Sequence, residues 1–223
     1  MKIVILLLSI LVFANAMSLI KDDSFLAGKA NVDFVIEANI GGLDVVVEEI
    51  ISFEHNKIKT HYTTFNGDVP AFDILMDFNE GKVYQYFNLT GKCDVYDGPK
   101  LDIQQYIHNL FLNHTEFAGH RGKHLELYEV KHPEEEGSRT WLYGMSIDHE
   151  GKQIFVPTRF QSHHPAQKQD YSGEFIDTFS FPEVSASDFE YSQCKFANEM
   201  KSDLPLTVDI FGVSPSFLLS TLQ

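Results

Sequence analysis

Asp94-Val95-Tyr96-Asp97-Gly98 is the stretch of this sequence whose residue types come nearest to a metal loop. Two carboxylates ahead of a glycine match the opening of an oxygen-ligand calcium loop, which makes Asp94 and Asp97 the calcium candidates. The further oxygen ligands and the closing Glu of an EF-hand do not follow. The chain has ten histidines, but their spacing builds no metal site. His163 and His164 are adjacent, which on a strand sends them to opposite faces. Gly122 interrupts any helical face that His120 and His124 would share. Zinc needs three or four converging ligands. A Gly-x-Ser-x-Gly nucleophile elbow and a glycine-rich phosphate loop are both missing from the sequence. With 32 acidic residues, carboxylate pairs occur everywhere and single out nothing. The expectation is a non-enzymatic protein with no cofactor beyond calcium.

The two cysteines, Cys93 and Cys194, form an even pair. In an oxidising compartment such a pair reads as one disulfide. It would close a loop of about a hundred residues, worth roughly 4–5 kcal/mol in the chain-entropy picture. The alternative is two free, buried thiols. The N-terminus MKIVILLLSILVFANAMS points to the oxidising case. An early Lys2, an apolar run from Ile3 to Phe13 and the small residues Ala14-Asn15-Ala16 follow the order of a secretory signal peptide, with cleavage after Ala16. The apolar run is too short to span a bilayer. Residues 1–16 therefore read as a signal peptide, and 17–223 as one domain destined for the extracellular space or the lysosomal lumen. Asn88-Leu89-Thr90 and Asn113-His114-Thr115 are N-glycosylation sequons, with Asn88 and Asn113 as acceptors. The formal charge of −15 disfavours nucleic acid and anionic membrane surfaces as partners. The apolar tail Pro205–Gln223 reads as a segment packed on the sheet. The alternative is a glycolipid-anchor signal with Ser202 as attachment site.

These sites must be carried by strands. Apolar–polar alternation with Asn/Gly turn signals predicts antiparallel strands over 31–39, 43–53, 58–65, 71–78 and 82–88. Alternation resumes over 124–131, 139–147, 154–161 and 173–181. Between the two groups, Leu101, Ile103, Tyr106, Ile107, Leu110 and Phe111 fall near helical spacing, which predicts a helix over 101–112. Val45-Val46-Val47 and Ile50-Ile51 are apolar on both faces, so the sheet is either covered twice or lines a cavity. The 19 phenylalanines fit a large aromatic core or a pocket between a curved sheet and the helix.

Lys92-Cys93, HLELYEVKH, RTWLYGMSIDHEGKQIFVPTRF and GEFIDTFSFPEVSASDFEYSQC together resemble the ependymin-related proteins. The resemblance covers roughly Lys82 to Cys194. Its most specific pieces are Thr140–Gly144 and the region closing on Cys194. It implies a mainly β (α+β) fold: a curved antiparallel sheet, or half-barrel, similar to bacterial lipoprotein carriers, with a few helices covering a hydrophobic pocket. It also implies a lipid or other hydrophobic small molecule as partner, a homodimer, calcium binding, and extracellular or lysosomal residence. Cys93 and Cys194 match one bridge of that family, whose further cysteines this chain lacks. Alternation then nominates pocket residues: Phe34, Ile36, Val47, Tyr62 and Tyr84 in the first half, and Leu127, Trp141, Tyr143, Met145, Phe155 and Phe179 in the second. The alternative is a calcium-dependent adhesion or matrix protein whose interior is only core.

Overall fold

The computed structural model describes residues 31–40, 43–64, 71–105, 111–118, 124–131, 137–149, 152–165, 169–177, 183–191, 194, 198–199, 208–209 and 212–213. The signal-peptide reading, Phe179 and nearly all of the apolar tail lie outside these residues. The strands are β1 Val32–Ile40, β2 Leu43–Ser52, β3 Lys57–Thr64, β4 Phe72–Asp77, β5 Lys82–Phe87, β6 Lys92–Asp97, β7 Phe111–Ala118, β8 His124–Lys131, β9 Arg139–His149, β10 Lys152–His164, β11 Gln169–Phe175 and β12 Asn198–Glu199. They form one sheet in the order β12-β6-β5-β4-β3-β2-β1-β11-β10-β9-β8-β7. Val208–Asp209 and Gly212–Val213 make a separate two-stranded ribbon.

Two antiparallel meanders, β1–β6 and β7–β11, are thus joined edge to edge where β1 pairs with β11. The sheet curves without closing, as the curved half-barrel expectation requires. All its pairings are antiparallel except β12 with β6. Three strands differ from the sequence expectation: β11 runs Gln169–Phe175 where the alternation predicts a strand over 173–181, and β6 and β7 are not predicted as strands. Lys92–Asp97, which contains most of the calcium-loop fragment read at Asp94–Gly98, is β6 and pairs residue for residue with β5. Phe111, placed at the end of the expected helix, opens β7 and pairs with Val130. Residues 103–105 are helical. The apolar run ending at Phe111 suits either period, and pairing with β8 decides for strand.

One face of the sheet is buried almost throughout. Val32, Phe34, Ile36 and Ala38 of β1, Val45, Val47 and Ile51 of β2, and their cross-strand partners form a continuous core. Ile103 is buried in it, with Leu101 packed alongside. Asn56, at φ 55°, makes the β2–β3 turn; asparagine tolerates this left-handed region better than most residues. Its Nδ2 donates to the Leu101 carbonyl at 2.8 Å and its Oδ1 accepts from the Ile103 amide at 2.8 Å. One turn residue therefore ties the 101–103 segment to the end of the inner face.

Part of the opposite, outer face is covered by the chain's own return. Cys93 of β6 is bonded to Cys194, 101 residues on. The preceding segment carries the short 3-10 helix Ala186–Phe189, whose first turn Ser185 and Asp188 close with a capping box. The backbone and hydroxyl of Ser185 hydrogen-bond the Asp188 carboxyl and hold its pKa below the usual carboxylate value. Tyr191 stacks on Tyr86 of β5 at 5.8 Å, and the Lys59 ammonium lies 5.3 Å from the Tyr191 ring centre. Burial, and then Asp73, push the Tyr191 hydroxyl pKa up.

Two outcomes follow. Asn56→Ala loses both tethers and strains the turn, so it should lower unfolding free energy by about 2–3 kcal/mol in chemical denaturation. Asn56→Gly should cost less, because glycine accepts the turn conformation. Reducing the Cys93–Cys194 bond should cost up to about 4–5 kcal/mol, with amide exchange rising first in 183–191.

Candidate functional site

Cross-strand register arranges the inner face into three parallel rows. The first runs Phe87, Phe72, Tyr62, Val47, Ile36, Phe175 across six neighbouring strands. It is apolar and mostly aromatic: Tyr62 stacks on Phe72 at 4.9 Å, and Phe72 meets Phe87 at 6.2 Å. The third row, Tyr96, Val83, Met76, Ile58, Ile51, Val32, is apolar apart from one hydroxyl. The middle row is different: Asp94, Gln85, Ile74, Thr60, Glu49, Phe34. Glu49, Thr60 and Gln85 are fully buried.

Polar groups inside an apolar face need partners. Thr60 Oγ1 donates to Glu49 Oε2 at 3.0 Å. The Tyr96 hydroxyl donates to Gln85 Oε1 at 3.4 Å, and burial, then Asp94, raise the Tyr96 pKa. Gln85 Nε2 is buried with no hydrogen-bond partner among the described residues. Such an orphaned donor costs about 1–3 kcal/mol.

The second meander continues the inner face with Tyr128, Leu142, Phe155 and Phe160. Here glycines make room for rings. A Cβ on Gly144 would lie 2.3 Å from the Val156 carbonyl oxygen and 2.7 Å from the Phe155 ring. Phe155 crosses this gap to meet Tyr128 edge-on at 4.6 Å. Gly173 does the same for Phe160, which meets Phe175 at 6.3 Å. Glu126 is also buried on this face, with Ser146 and Tyr128 hydroxyls donating to it.

The residues nominated from sequence divide between the two faces. Phe34, Ile36, Val47, Tyr62 and Phe155 are buried on the inner face. Tyr84, Leu127, Trp141, Tyr143 and Met145 fall on the outer face, in register with one another where their strands meet, and are half-buried. They cannot line one pocket with the first group. In β9 the inward positions are Thr140, Leu142 and Gly144: smaller side chains face in because Phe155 and Phe160 already fill the space above them. Burial and the Glu80 carboxylate raise the Tyr84 pKa to about 12. Asp94 and Asp97 also point to opposite faces. Asp94 takes the Lys92 ammonium at 2.8 Å and Asp97 takes Lys82 at 2.8 Å, so the pair does not converge on one ion. Among the described residues no group of three or more His, Cys, Asp or Glu converges. Asn88 is exposed in the β5–β6 turn, and Asn113 lies on the edge strand β7.

Reading the sequence missed Glu49, Thr60 and Gln85. The signal was present in β2 and β5: Glu49 stands in phase with Val45, Val47 and Ile51, and Gln85 with Val83 and Phe87.

On the outer face a cleft of about 370 Å³ is lined by Asn39, Trp141, Gln161, Ser162, His163, Asp170 and Ser172. The Tyr143 hydroxyl donates to Gln161 Oε1 at 3.1 Å, and His163 Nδ1 meets Asp170 Oδ1 at 2.5 Å.

No protein-family model matches the chain, and no curated protein matches it in sequence. In structure it is similar to an uncharacterised conserved protein from Thermus thermophilus, with TM-score 0.51 and 11% identity over 79% of this chain and 93% of that one. This likeness concerns the fold alone. A putative outer membrane lipoprotein-sorting protein domain from Vibrio parahaemolyticus gives TM-score 0.36 at 11% identity, covering 72% of this chain and 89% of its own. A DUF1329 family protein from Desulfovibrio piger gives 0.30 at 11%, covering 75% and 93%. Likenesses that distant decide neither family nor ligand.

Because the inner face is this closely packed, Gly173→Ala should cost about 1–3 kcal/mol. Its Cβ would stand 2.8 Å from the Glu37 carbonyl oxygen as well as 2.5 Å from the Phe160 ring. Thermal unfolding of the variant beside the parent checks this.

Proposed function

We propose that this chain is a secreted, non-enzymatic binding protein that holds a lipid or other hydrophobic ligand against the inner face of its sheet. The observation that carries the reading is the aromatic row from Phe87 to Phe175 lying beside the orphaned Gln85 amide. An acyl chain laid along the row would be held by apolar burial, on the order of 25 cal/mol per Å² before ordering costs. A carboxylate, ester or hydroxyl oxygen at its head would accept from Gln85 Nε2 and relieve the buried donor. The resemblance of Lys82–Cys194 to ependymin-related proteins supports the same ligand class. The signal-peptide pattern, the Cys93–Cys194 bond and the exposed Asn88 support passage through the secretory pathway to the extracellular space or the lysosome. The reading requires no calcium, since Asp94 and Asp97 each have a lysine instead of each other.

The test is titration of the full chain with the fluorescent fatty acid cis-parinarate, competed by oleate. Saturable, competable uptake is expected. Gln85→Leu should weaken it about tenfold, with little net change in stability, because the buried unpaired Nε2 donor and the long Tyr96–Gln85 hydrogen bond are lost together. Tyr84→Phe, on the other face, should change nothing. Failure of both fatty acids to bind would sink the carrier reading.

A further inference from the structure

We propose that the outer-face cleft around Trp141 is a second site, one that recognises a neutral saccharide. Four adjacent strands build it. Asn39 of β1 pairs with Ser172 of β11, Ser172 with Gln161 of β10, and Gln161 with Trp141 of β9. All four therefore share one face in one row, about 14 Å long at ordinary strand spacing. The next row adds Asp170 and His163, directly paired across β11 and β10. The volume, about 370 Å³, is at the lower end of small-molecule sites, which run to about 300–1,000 Å³.

The lining selects the ligand class. Trp141 supplies a broad apolar π surface with a negative face. Around it stand an amide, hydroxyls, an imidazole and a carboxylate. Several of these groups are pre-set and still able to bond. Tyr143 holds Gln161 by its Oε1, and among the described residues Gln161 Nε2 and the Ser172 hydroxyl have no partner. Asp170 fixes His163 by one oxygen and one ring nitrogen, so its second oxygen is still available to accept. Asn39 is steadied by its 2.7 Å bond to Asp44.

An acyl chain here would strand these donors and acceptors. An anion would meet the Asp170 carboxylate, and none of the described lining residues is a lysine or arginine. A metal would find too few converging ligands. A pyranose ring meets every requirement: its C–H face carries slight positive charge and lies on the indole. Its hydroxyls both donate and accept, matching Gln161 Nε2, the Ser172 hydroxyl and the Asp170 carboxylate.

Trp141 is the chain's single tryptophan, so indole emission reports on this cleft alone. The full chain is titrated with lactose, maltose, cellobiose and diacetylchitobiose, and separately bound to an immobilised high-mannose glycoprotein before and after endoglycosidase treatment. We expect a saturable emission change with Kd of about 1 mM or tighter for at least one sugar. Alternatively, glycoprotein capture that endoglycosidase abolishes would assign the ligand to a protein-attached glycan instead of a free saccharide. Gln161→Ala and, independently, Ser172→Ala should each weaken binding about tenfold, Ser172→Ala at unchanged melting temperature and Gln161→Ala with only the small loss expected from its Tyr143 bond. Absence of any response to the sugars and the glycoprotein overturns the proposal, as does a response that both variants retain. So does an equal emission change on adding oleate. Fatty-acid uptake at the inner face is read separately with cis-parinarate, so either site can fail without the other.

Discussion

Strand pleat is the constraint on which everything else in this protein depends. Successive side chains go to opposite faces, and one continuous register across neighbouring strands therefore gathers one apolar set on one side. A slip of one residue at any pairing would turn Val47, Tyr62 or Ile36 to solvent. The structure holds that register with local devices. The irregularity between Pro157 and Arg159 in β10 is the clearest. Phe155 and Phe160 are five residues apart and would face opposite ways on a regular strand. The bulge absorbs one residue and turns both inward. Gly144 and Gly173 then give their rings room to lie flat.

The two faces have separate chemistry as a result. The inner one is aromatic and aliphatic, crossed by one polar row in the first meander and interrupted by Glu126 and Thr140 in the second. The outer one is divided. Over β3–β6 it is covered by residues 183–191, held by Cys194 on Cys93 and by the Tyr191–Tyr86–Lys59 stack. Over β1 and β9–β11 it carries the Trp141 cleft. Binding apolar matter on one side and hydroxyl-rich matter on the other requires no shared residues. Each face can be altered without touching the other.

Much of this was legible in the sequence and some was not, for specific reasons. Asn31–Asn39 and Leu43–Phe53 announce a hairpin by alternation around Gly41-Gly42, and the strands fall there within a residue or so. Cys93 and Cys194 form the bridge that an even cysteine pair suggests. Alternation shows that Trp141, Tyr143 and Met145 share a face, but not which face. The resemblance to ependymin-related proteins suggested inward. The decision belongs to Phe155 and Phe160, which occupy the interior from the neighbouring strand and leave room there only for Thr140, Leu142 and Gly144. β7 was hidden because its first apolar residue also completes a helical pattern. β6 was hidden because two aspartates drew a metal reading, whereas each has a lysine partner. The Trp141 cleft joins the consecutive strands β9–β11 to β1, far earlier in the chain, and only the register brings them together.

The inner face either receives a hydrophobic ligand or is core alone. Native mass spectrometry of the protein purified from a eukaryotic secretory host, followed by solvent extraction and lipid analysis, separates the two most directly. A ligand-bearing inner face gives a stoichiometric mass increment that is released on extraction and identified as an acyl lipid. A clean apo mass that persists after incubation with fatty acids and phospholipids would contradict it, and would leave the inner face as a filled core.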